Sequence, residues 1–161
     1  MRYTLSAIAF LAALSALPAS AQDKSAPVDL TLDVSKPGAK IDRQIFGQFA
    51  EHLGEGIYGG IWVGKDSSIP NTRGIRNDVV AALKELKVPN VRWPGGCFAD
   101  EYHRRRGVGK DRIASMNANW GGVIEPNTFG TDEFFDFAQQ IGTEAYVSVN
   151  VGSGTPAEAA E

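Results

Sequence analysis

The fold is decided by the stretch VRWPGGCFADEYH, residues 91–103, in which a short apolar strand ends at a Pro-Gly-Gly turn. Arginine lies inside the strand, and cysteine, acidic, aromatic and histidine side chains follow the turn. Charged groups avoid burial unless they are paired, and binding groups are commonly presented on loops after buried strands. The stretch therefore predicts a ligand site at a strand end. The alternative is a core strand with a structural turn whose aromatic side chains only pack.

The rest of the chain alternates strands and helices around this stretch. Apolar periodicity, caps and breakers predict strands at 28–34, 45–49, 90–93 and 144–151, and helices at 75–88, from the N-cap Thr131 to Gly142, and from Thr155 onward. Gly-rich or long loops cover residues 54–64 and residues 94–127. Alternation of this kind favours parallel strands joined by crossover helices. The residues alone leave open the first units of a (β/α)8 barrel and a small open α/β sheet.

The N-terminus has the features of a secretory signal peptide. Arg2 is followed by an apolar run over residues 5–17 and by Ala19-Ser20-Ala21, which predicts cleavage before Gln22. The run is too short to favour a membrane span. We therefore expect a secreted or periplasmic protein with no membrane partner.

Composition restricts the classes of partner. The formal net charge of −3 argues against a nucleic-acid partner. No Cys/His metal-binding pattern is present in the sequence. The single cysteine, Cys97, cannot form an internal disulfide, and its place in the central motif favours a buried thiol that lines a pocket.

Several motifs in order resemble one family. They are GQFAEHLGEGIYGGIWVG (47–64), IPNTRGIRNDVVAALKELKVPNVRWPGGCFADEYH (69–103), NWGG (119–122), FGTDEFFDF (129–137) and VNVGSGT (149–155). Together they are similar to the N-terminal part of an α-L-arabinofuranosidase of glycoside hydrolase family 51. The resemblance covers nearly all of the chain after the signal peptide.

The resemblance implies a domain organisation and an activity. Residues 1–21 would be the signal peptide, residues 22–40 a leader and a strand that joins a C-terminal β-sandwich absent from this chain, and residues 41–161 about the first three βα units of a truncated (β/α)8 (TIM) catalytic barrel. The family removes terminal non-reducing α-L-arabinofuranosyl residues from arabinan and arabinoxylan by a retaining double displacement. It needs no metal or organic cofactor, and full-length members often form homo-oligomers.

The resemblance also implies a division of roles among residues. Both catalytic glutamates would lie beyond Glu161, so no catalytic residue is assigned here and the chain is expected to be inactive alone. Glu51 matches a glutamate that binds arabinofuranose hydroxyls, and Arg92 matches an arginine beside the nucleophile. Cys97 would line the sugar pocket, and Trp120 would form an apolar wall against a sugar face. The alternatives are a surface salt bridge for Glu51 and a buried ion pair for Arg92.

Other residues and functions are weaker candidates. Trp93, Phe98, Tyr102 and Asn150 are expected to pack or to support the site, and His52 and His103 to be structural histidines. Two other functions stay open: a β-xylosidase or endoglucanase on the same scaffold, and a non-catalytic sugar-binding remnant.

Overall fold

A computed structural model of the chain describes residues 28–161, and the predicted signal peptide at 1–21 lies outside them. Residues 28–39 belong to one unit and residues 40–161 form another, which contains all described helices and strands. In chain order these are β1 (Gln48–Phe49), α1 (Gly54–Ile57), β2 (Asn71–Thr72), β3 (Ile75–Arg76), α2 (Asn77–Glu85), β4 (Asn90–Trp93), β5 (Ser115–Asn117), β6 (Val123–Glu125), α3 (Thr131–Ile141), β7 (Glu144–Val147) and α4 (Pro156–Ala159). No helix within residues 28–161 is long and apolar enough to cross a membrane.

The central sheet has three parallel strands in the order β1-β4-β7. The middle strand, β4, pairs with β1 through Gln48↔Val91 and Phe49↔Arg92, and with β7 along its whole length. Neighbouring parallel strands need a crossover connection. Helix α2 lies between β1 and β4 in sequence, and α3 lies between β4 and β7. The predicted mixed α/β class is therefore confirmed.

One face of the sheet forms the core with α2 and α3. On β4, Val91 and Trp93 are 2% and 1% exposed and alternate with Arg92. Trp93 stacks on Phe134 of α3 with 5.1 Å between ring centroids. The buried residues of α3 recur at helical spacing and are Phe134, Phe137, Ala138 and Ile141. Periodicity of 2 in the strand and 3.6 in the helix thus places both apolar faces against each other.

The opposite face of the sheet carries a row of large side chains. Phe49, Arg92 and Tyr146 are adjacent in register across the three strands. Phe49 and Tyr146 are both more than half exposed. Since successive strand residues point to opposite faces, this row lies on the side away from Trp93 and the helices.

Two antiparallel hairpins were not predicted. β2 pairs with β3, and β5 pairs with β6. β3 lies in the segment expected to be helix and β5–β6 in the segment expected to be loop, whereas no element was predicted for the residues of β2. Because Ile75 and Arg76 belong to β3, α2 starts two residues later than predicted. It ends at Glu85 rather than at 88, because Lys87 takes a positive φ of 52° that a helix cannot contain.

The predicted strand at 28–34 is wrong. These residues form no strand, and the side chains of Val28, Leu30, Leu32 and Val34 are at least 85% exposed. Asp33 instead accepts hydrogen bonds from the backbone and hydroxyl of Ser35, which makes a local turn. Alternation indicates a half-buried strand only where a partner strand exists, and residues 28–34 pair with none in the described chain.

Three further boundaries differ from prediction. The strand expected at 45–49 is reduced to β1, because a 3-10 turn takes residues Arg43–Phe46. The strand expected at 144–151 stops at Val147, where its partner β4 has also ended. The N-cap of α3 is Gly130 rather than Thr131, and the side chain of Glu133 accepts a 2.9 Å hydrogen bond from the Gly130 amide.

Candidate functional site

The loops that follow the three parallel strands are tied together by main-chain hydrogen bonds. Ala50 donates to the carbonyl of Arg92 at 2.9 Å, and His52 donates to the carbonyl of Pro94 at 2.6 Å. From the other side, Ser148 donates to the carbonyl of Trp93 at 2.8 Å. The carboxyl ends of β1, β4 and β7 therefore present their side chains from one connected framework, the usual position of ligand sites in parallel α/β sheets.

Arg92 lies at the centre of this framework. Its Nε donates to the hydroxyl of Ser148 at 3.0 Å, and its terminal nitrogen donates to the carbonyl of Gly95 at 2.9 Å. Its guanidinium carbon lies 4.6 Å from the centroid of the Phe49 ring. Within residues 28–161 Arg92 forms no salt bridge, so the alternative of a buried ion pair has no partner there. A half-buried guanidinium fixed in this way is available for an anionic or hydroxyl-bearing ligand.

Glu51 packs against the Pro-Gly-Gly turn. Its Oε1 accepts a 3.3 Å hydrogen bond from the amide of Phe98. A Cβ placed on Gly95 would lie 2.5 Å from the Cγ of Glu51, and Gly95 has a φ of 130°. Glycine is therefore required at this position both for its backbone conformation and for the close approach of Glu51. Gly95 is thus in contact with both residues, with Glu51 by packing and with Arg92 through its carbonyl.

Cys97 follows this turn, and its predicted burial is wrong. The thiol is free and the residue is exposed. Cys97 begins the 3-10 turn Cys97–Asp100, whose buried members are Phe98 and Ala99. The apolar anchor of the turn is thus Phe98, which leaves Cys97 on the open side next to Gly96.

Trp120 lies on a different loop, the tip of the β5–β6 hairpin. The tip consists of the 3-10 turn Ala118–Trp120 followed by Gly121 with a φ of 78°. The indole is 50% exposed. Glu101 joins this tip to the loop after β4, since its carboxylate accepts from the Asn119 side chain at 2.8 Å and from the Ala118 amide at 3.4 Å. The structure therefore brings Glu51, Arg92 and Cys97 together at one turn and connects Trp120 to them through Glu101.

His52 is wholly buried behind Glu51. Its ring stacks on Phe98 at 4.9 Å and lies edge-on to Trp93 and Tyr58, whose hydroxyl is 3.0 Å from Nε2. Burial lowers the pKa of His52 to about 4, while the Asn127 side chain acts in the opposite direction. The Nδ1 atom of His52 and the Oδ1 atom of Asn127 are both buried without a hydrogen-bond partner in the described chain. His52 is thus a neutral core group, as expected of a structural histidine.

Glu125 is a buried carboxylate that sequence reasoning missed. It is 2% exposed on β6 and accepts from the Gly54 amide at 3.1 Å and from the Asn117 side chain at 3.4 Å. The bond from Gly54 ties the β5–β6 hairpin to the start of α1, and the bond from Asn117 lies within the hairpin. The signal in the sequence was an acidic residue directly after the apolar pair Val123-Ile124, inside a segment expected to be loop.

The weaker candidates serve mainly as support. Trp93 and Tyr102 are buried, with 4.9 Å between ring centroids. The Asn150 side chain is buried and accepts hydrogen bonds from three successive amides, those of residues 152–154. His103 bonds to Glu158 at 2.7 Å. These contacts agree with packing and second-layer roles.

A cavity of about 210 Å³ lies beside β7; its lining includes Pro94 and Ser148 but neither Glu51 nor Arg92. Its apolar walls include Val147, Val149 and Phe135, each at least 40% exposed. No group of His, Cys, Asp and Glu side chains in residues 28–161 is arranged to hold a metal ion. Within the described chain, the chemistry of the site is therefore that of a guanidinium, a carboxylate, a thiol and aromatic faces.

Comparison with known proteins gives one consistent answer. A family model described as "Alpha-L-arabinofuranosidase 1 domain" matches residues 82–161. An intracellular exo-α-L-arabinofuranosidase of Bacteroides ovatus is 54% identical over 155 residues, which are 95% of this chain and 29% of that protein. α-L-Arabinofuranosidase C of Emericella nidulans is 46% identical over 123 residues, 75% of this chain and 24% of that protein.

Solved structures agree with these relatives. The crystal structure of the GH51 arabinofuranosidase from Xanthomonas axonopodis pv. citri matches with a TM-score of 0.75 and 64% identity, over 78% of this chain and 26% of that one. The α-L-arabinofuranosidase from Thermotoga maritima, solved as an arabinose complex, matches with a TM-score of 0.68 and 47% identity, over 73% of this chain and 24% of that one. The chain spans about a quarter of the length of the proteins it matches.

Proposed function

The chain belongs to the α-L-arabinofuranosidases of glycoside hydrolase family 51, and we propose on this basis that its protein removes terminal non-reducing α-L-arabinofuranosyl residues from arabinan and arabinoxylan. The proposed reaction is a retaining double displacement through a covalent glycosyl-enzyme. In that reaction one carboxylate attacks the anomeric carbon, and a second carboxyl group protonates the leaving oxygen and then activates water. We assign neither role to Glu51, Glu101 or Glu125. We propose that the two catalytic carboxyl groups belong to the part of the protein that corresponds to the relatives' sequence beyond the position matching Glu161.

The observation that carries this proposal is the guanidinium of Arg92, which forms no salt bridge in the described chain and contacts Gly95, the residue against which Glu51 packs. Arg92 is held by Gly95 and Ser148 without a salt bridge in the described chain, at the carboxyl end of the middle parallel strand. A guanidinium at this point would keep a neighbouring nucleophilic carboxylate ionised. Glu51 would accept hydroxyl hydrogen bonds from the arabinofuranose on the adjacent strand end. Cys97 would line the same pocket, and Trp120 would pack against a sugar face.

The scaffold we propose is a (β/α)8 barrel, of which residues 41–161 supply about the first three βα units. The row formed by Phe49, Arg92 and Tyr146 would face the barrel interior, opposite the helix-covered face. The exposed apolar residues Val147 and Val149 support pairing and packing of another βα unit beside β7. A strand within residues 22–40 would form only by pairing with a C-terminal β-sandwich, because residues 28–34 pair with no strand in the described chain.

The activity is tested with an aryl α-L-arabinofuranoside, an aryl β-D-xyloside and a soluble β-glucan, using the full-length protein. We expect turnover of the arabinofuranoside, with kcat/KM reduced by roughly 100-fold or more in Arg92→Lys and Glu51→Gln. Arg105→Lys, an exposed arginine paired with Glu161, is the matched control and should stay within about twofold. Turnover of only the xyloside or the glucan would replace the proposed substrate.

The contribution of this chain alone is tested with residues 22–161. We expect no hydrolysis of the aryl arabinofuranoside, because the two reacting carboxyl groups would be missing. Hydrolysis by this shorter chain would contradict the assignment of Glu51 and Arg92 to binding rather than to bond cleavage. Arabinose-dependent stabilisation without turnover would instead support a sugar-binding remnant.

We also propose that the protein is exported and that residues 1–21 are removed. The mass of the mature protein and its first residues, read from the organism's own material, test this directly, and a chain starting at Gln22 is expected. Retention of Met1 would contradict it. Size measurement of the same material tests the proposed homo-oligomer.

A further inference from the structure

The 3-10 turn Cys97–Asp100 is held from three directions. At its start, the Phe98 amide binds Glu51. At its end, the backbone carbonyl of Asp100 accepts hydrogen bonds from the amide of Ser153 at 3.0 Å and from the Ser153 hydroxyl at 2.7 Å. Phe98 itself is wholly buried in the aromatic core. The turn therefore connects the loop after β1 to the loop after β7 through hydrogen bonds.

Glu101 extends this fixed turn to the hairpin that carries Trp120. The Glu101 amide donates to the Phe98 carbonyl at 3.0 Å, which fixes its backbone. Its carboxylate accepts from Asn119 at 2.8 Å and from the Ala118 amide at 3.4 Å. Bonds to an ionised acceptor are stronger than those between neutral groups. The two residues preceding Trp120 are thus bound to the same element that binds Glu51.

This arrangement separates two ends of the candidate site. Glu51 binds at the start of the turn and Glu101 leaves from its end, and a four-residue 3-10 turn spans about 8 Å. Trp120 is half exposed and directly follows Ala118 and Asn119, the two residues that Glu101 binds; Glu125 anchors the base of the same hairpin through the Gly54 amide. Under the proposed function, an indole on this second loop is available to substrate beyond the sugar that Glu51 orients.

We propose that Glu101 is a positioning residue that fixes Trp120 relative to Glu51, and that it thereby sets the preference for an oligosaccharide over a small aryl arabinofuranoside. Glu101 touches no substrate in this scheme and acts only through the hairpin tip. The proposal rests on the proposed function for the identity of the sugar. The link itself rests on the hydrogen bonds of Glu101 alone.

The test compares Glu101→Ala, Glu101→Gln and Trp120→Ala in the full-length protein. For Glu101→Ala we expect about tenfold weaker binding of an arabinan oligosaccharide, from lost hydrogen bonds to a charged acceptor, and about twofold or less for the aryl arabinofuranoside. Glu101→Gln keeps an acceptor for Asn119 and should restore most of the affinity. Glu85→Ala removes an exposed carboxylate at the end of α2 and should bind like the parent.

A double-mutant cycle decides whether Glu101 acts through Trp120. If it does, Glu101→Ala has little further effect once Trp120 is alanine. Additive losses, or equal losses for both ligands, would overturn the proposal. Asn119→Ala breaks the same link from the other side and should reproduce Glu101→Ala, which covers the case in which Glu101→Ala does not fold.

Hydrogen exchange supplies a readout that does not depend on activity. The Ala118 amide should exchange faster in Glu101→Ala than in Glu101→Gln, while the amides of β4 stay protected. Because affinity is measured by isothermal titration calorimetry rather than by turnover, a protein that hydrolyses nothing would contradict the proposed function only. Unchanged oligosaccharide affinity in Glu101→Ala would contradict the role of Glu101 only.

Discussion

Acidification should destabilise the fold through His52. In the folded protein its pKa is lowered from 6.5 to about 4, chiefly by burial among aromatic rings. The folded state therefore binds fewer protons than the unfolded state between these values, and the neutral imidazole contributes stability that is present above pH 6.5. This contribution is lost as the pH falls toward 4.

The size of the effect follows from the shift. The pKa of His52 falls from 6.5 to about 4 on folding, and each pKa unit corresponds to about 1.36 kcal/mol. About 3 kcal/mol of unfolding free energy is therefore lost between pH 6.5 and 4. Such a loss is a large fraction of the stability of an ordinary domain. It should appear as a falling free energy of unfolding across that range.

Urea unfolding followed by near-UV circular dichroism measures this effect, because His52 lies inside the aromatic cluster. We compare the full-length protein with His52→Gln, which cannot titrate but can keep a bond to the Tyr58 hydroxyl. Carboxylates with lowered pKa values, such as Asp136 beside Arg73, contribute to both proteins and cancel in the difference. His103→Gln controls for loss of an imidazole outside the aromatic core. An equal acid loss in the parent and in His52→Gln would refute the reasoning.

Three further substitutions test packing at and around the site. Gly95→Ala should lower the free energy of unfolding by several kcal/mol and displace Glu51, because both the positive φ and the close approach of Glu51 forbid a Cβ. Gly109 also has a positive φ but has open space around it, so Gly109→Ala should cost only about 1 kcal/mol. Thermal unfolding measures both variants. Phe134→Ala should cost about 3–5 kcal/mol because its ring is fully buried, and Phe135→Ala, half exposed on the same helix, should cost much less in the same urea titration. Arg112→Ala should cost about 3 kcal/mol by removing a partly buried ion pair that joins the long loop to the start of α3, and a change below 1 kcal/mol would contradict this role.

Local sequence signals predicted several elements without reference to their partners in the fold. The strand Asn90–Trp93 has the predicted bounds, and the helix Thr131–Ile141 begins one residue earlier than predicted and ends as predicted at Gly142, which has a φ of 78°. Thr155 caps the last helix, with its hydroxyl accepting from the Glu158 amide. Periodicity and capping are written in adjacent residues, so they can be interpreted without knowledge of the fold.

Signals that depend on distant partners were misleading. The alternation at 28–34 predicted a strand that has no partner in the described chain, and the burial expected for Cys97 was instead taken by Phe98. The β5–β6 hairpin and the buried Glu125 were missed, because Glu125 is satisfied by Gly54 and Asn117. Strand formation and burial at these positions depend on contacts with residues that are distant in the sequence.

The sequence by itself determined the mixed α/β class, the strand-to-loop stretch around Pro94 and the family resemblance, because these depend on local periodicity and on residue order. Only the tertiary structure showed that Arg92 forms no salt bridge in the described chain and that Glu51 packs against Gly95. It also showed that Glu101 connects the hairpin of Trp120 to the turn that Glu51 binds. The physical reason is that hydrogen bonds and close packing link residues that lie far apart in the chain. Parallel pairing brought the carboxyl ends of β1, β4 and β7 together, and that pairing set the geometry of the candidate site.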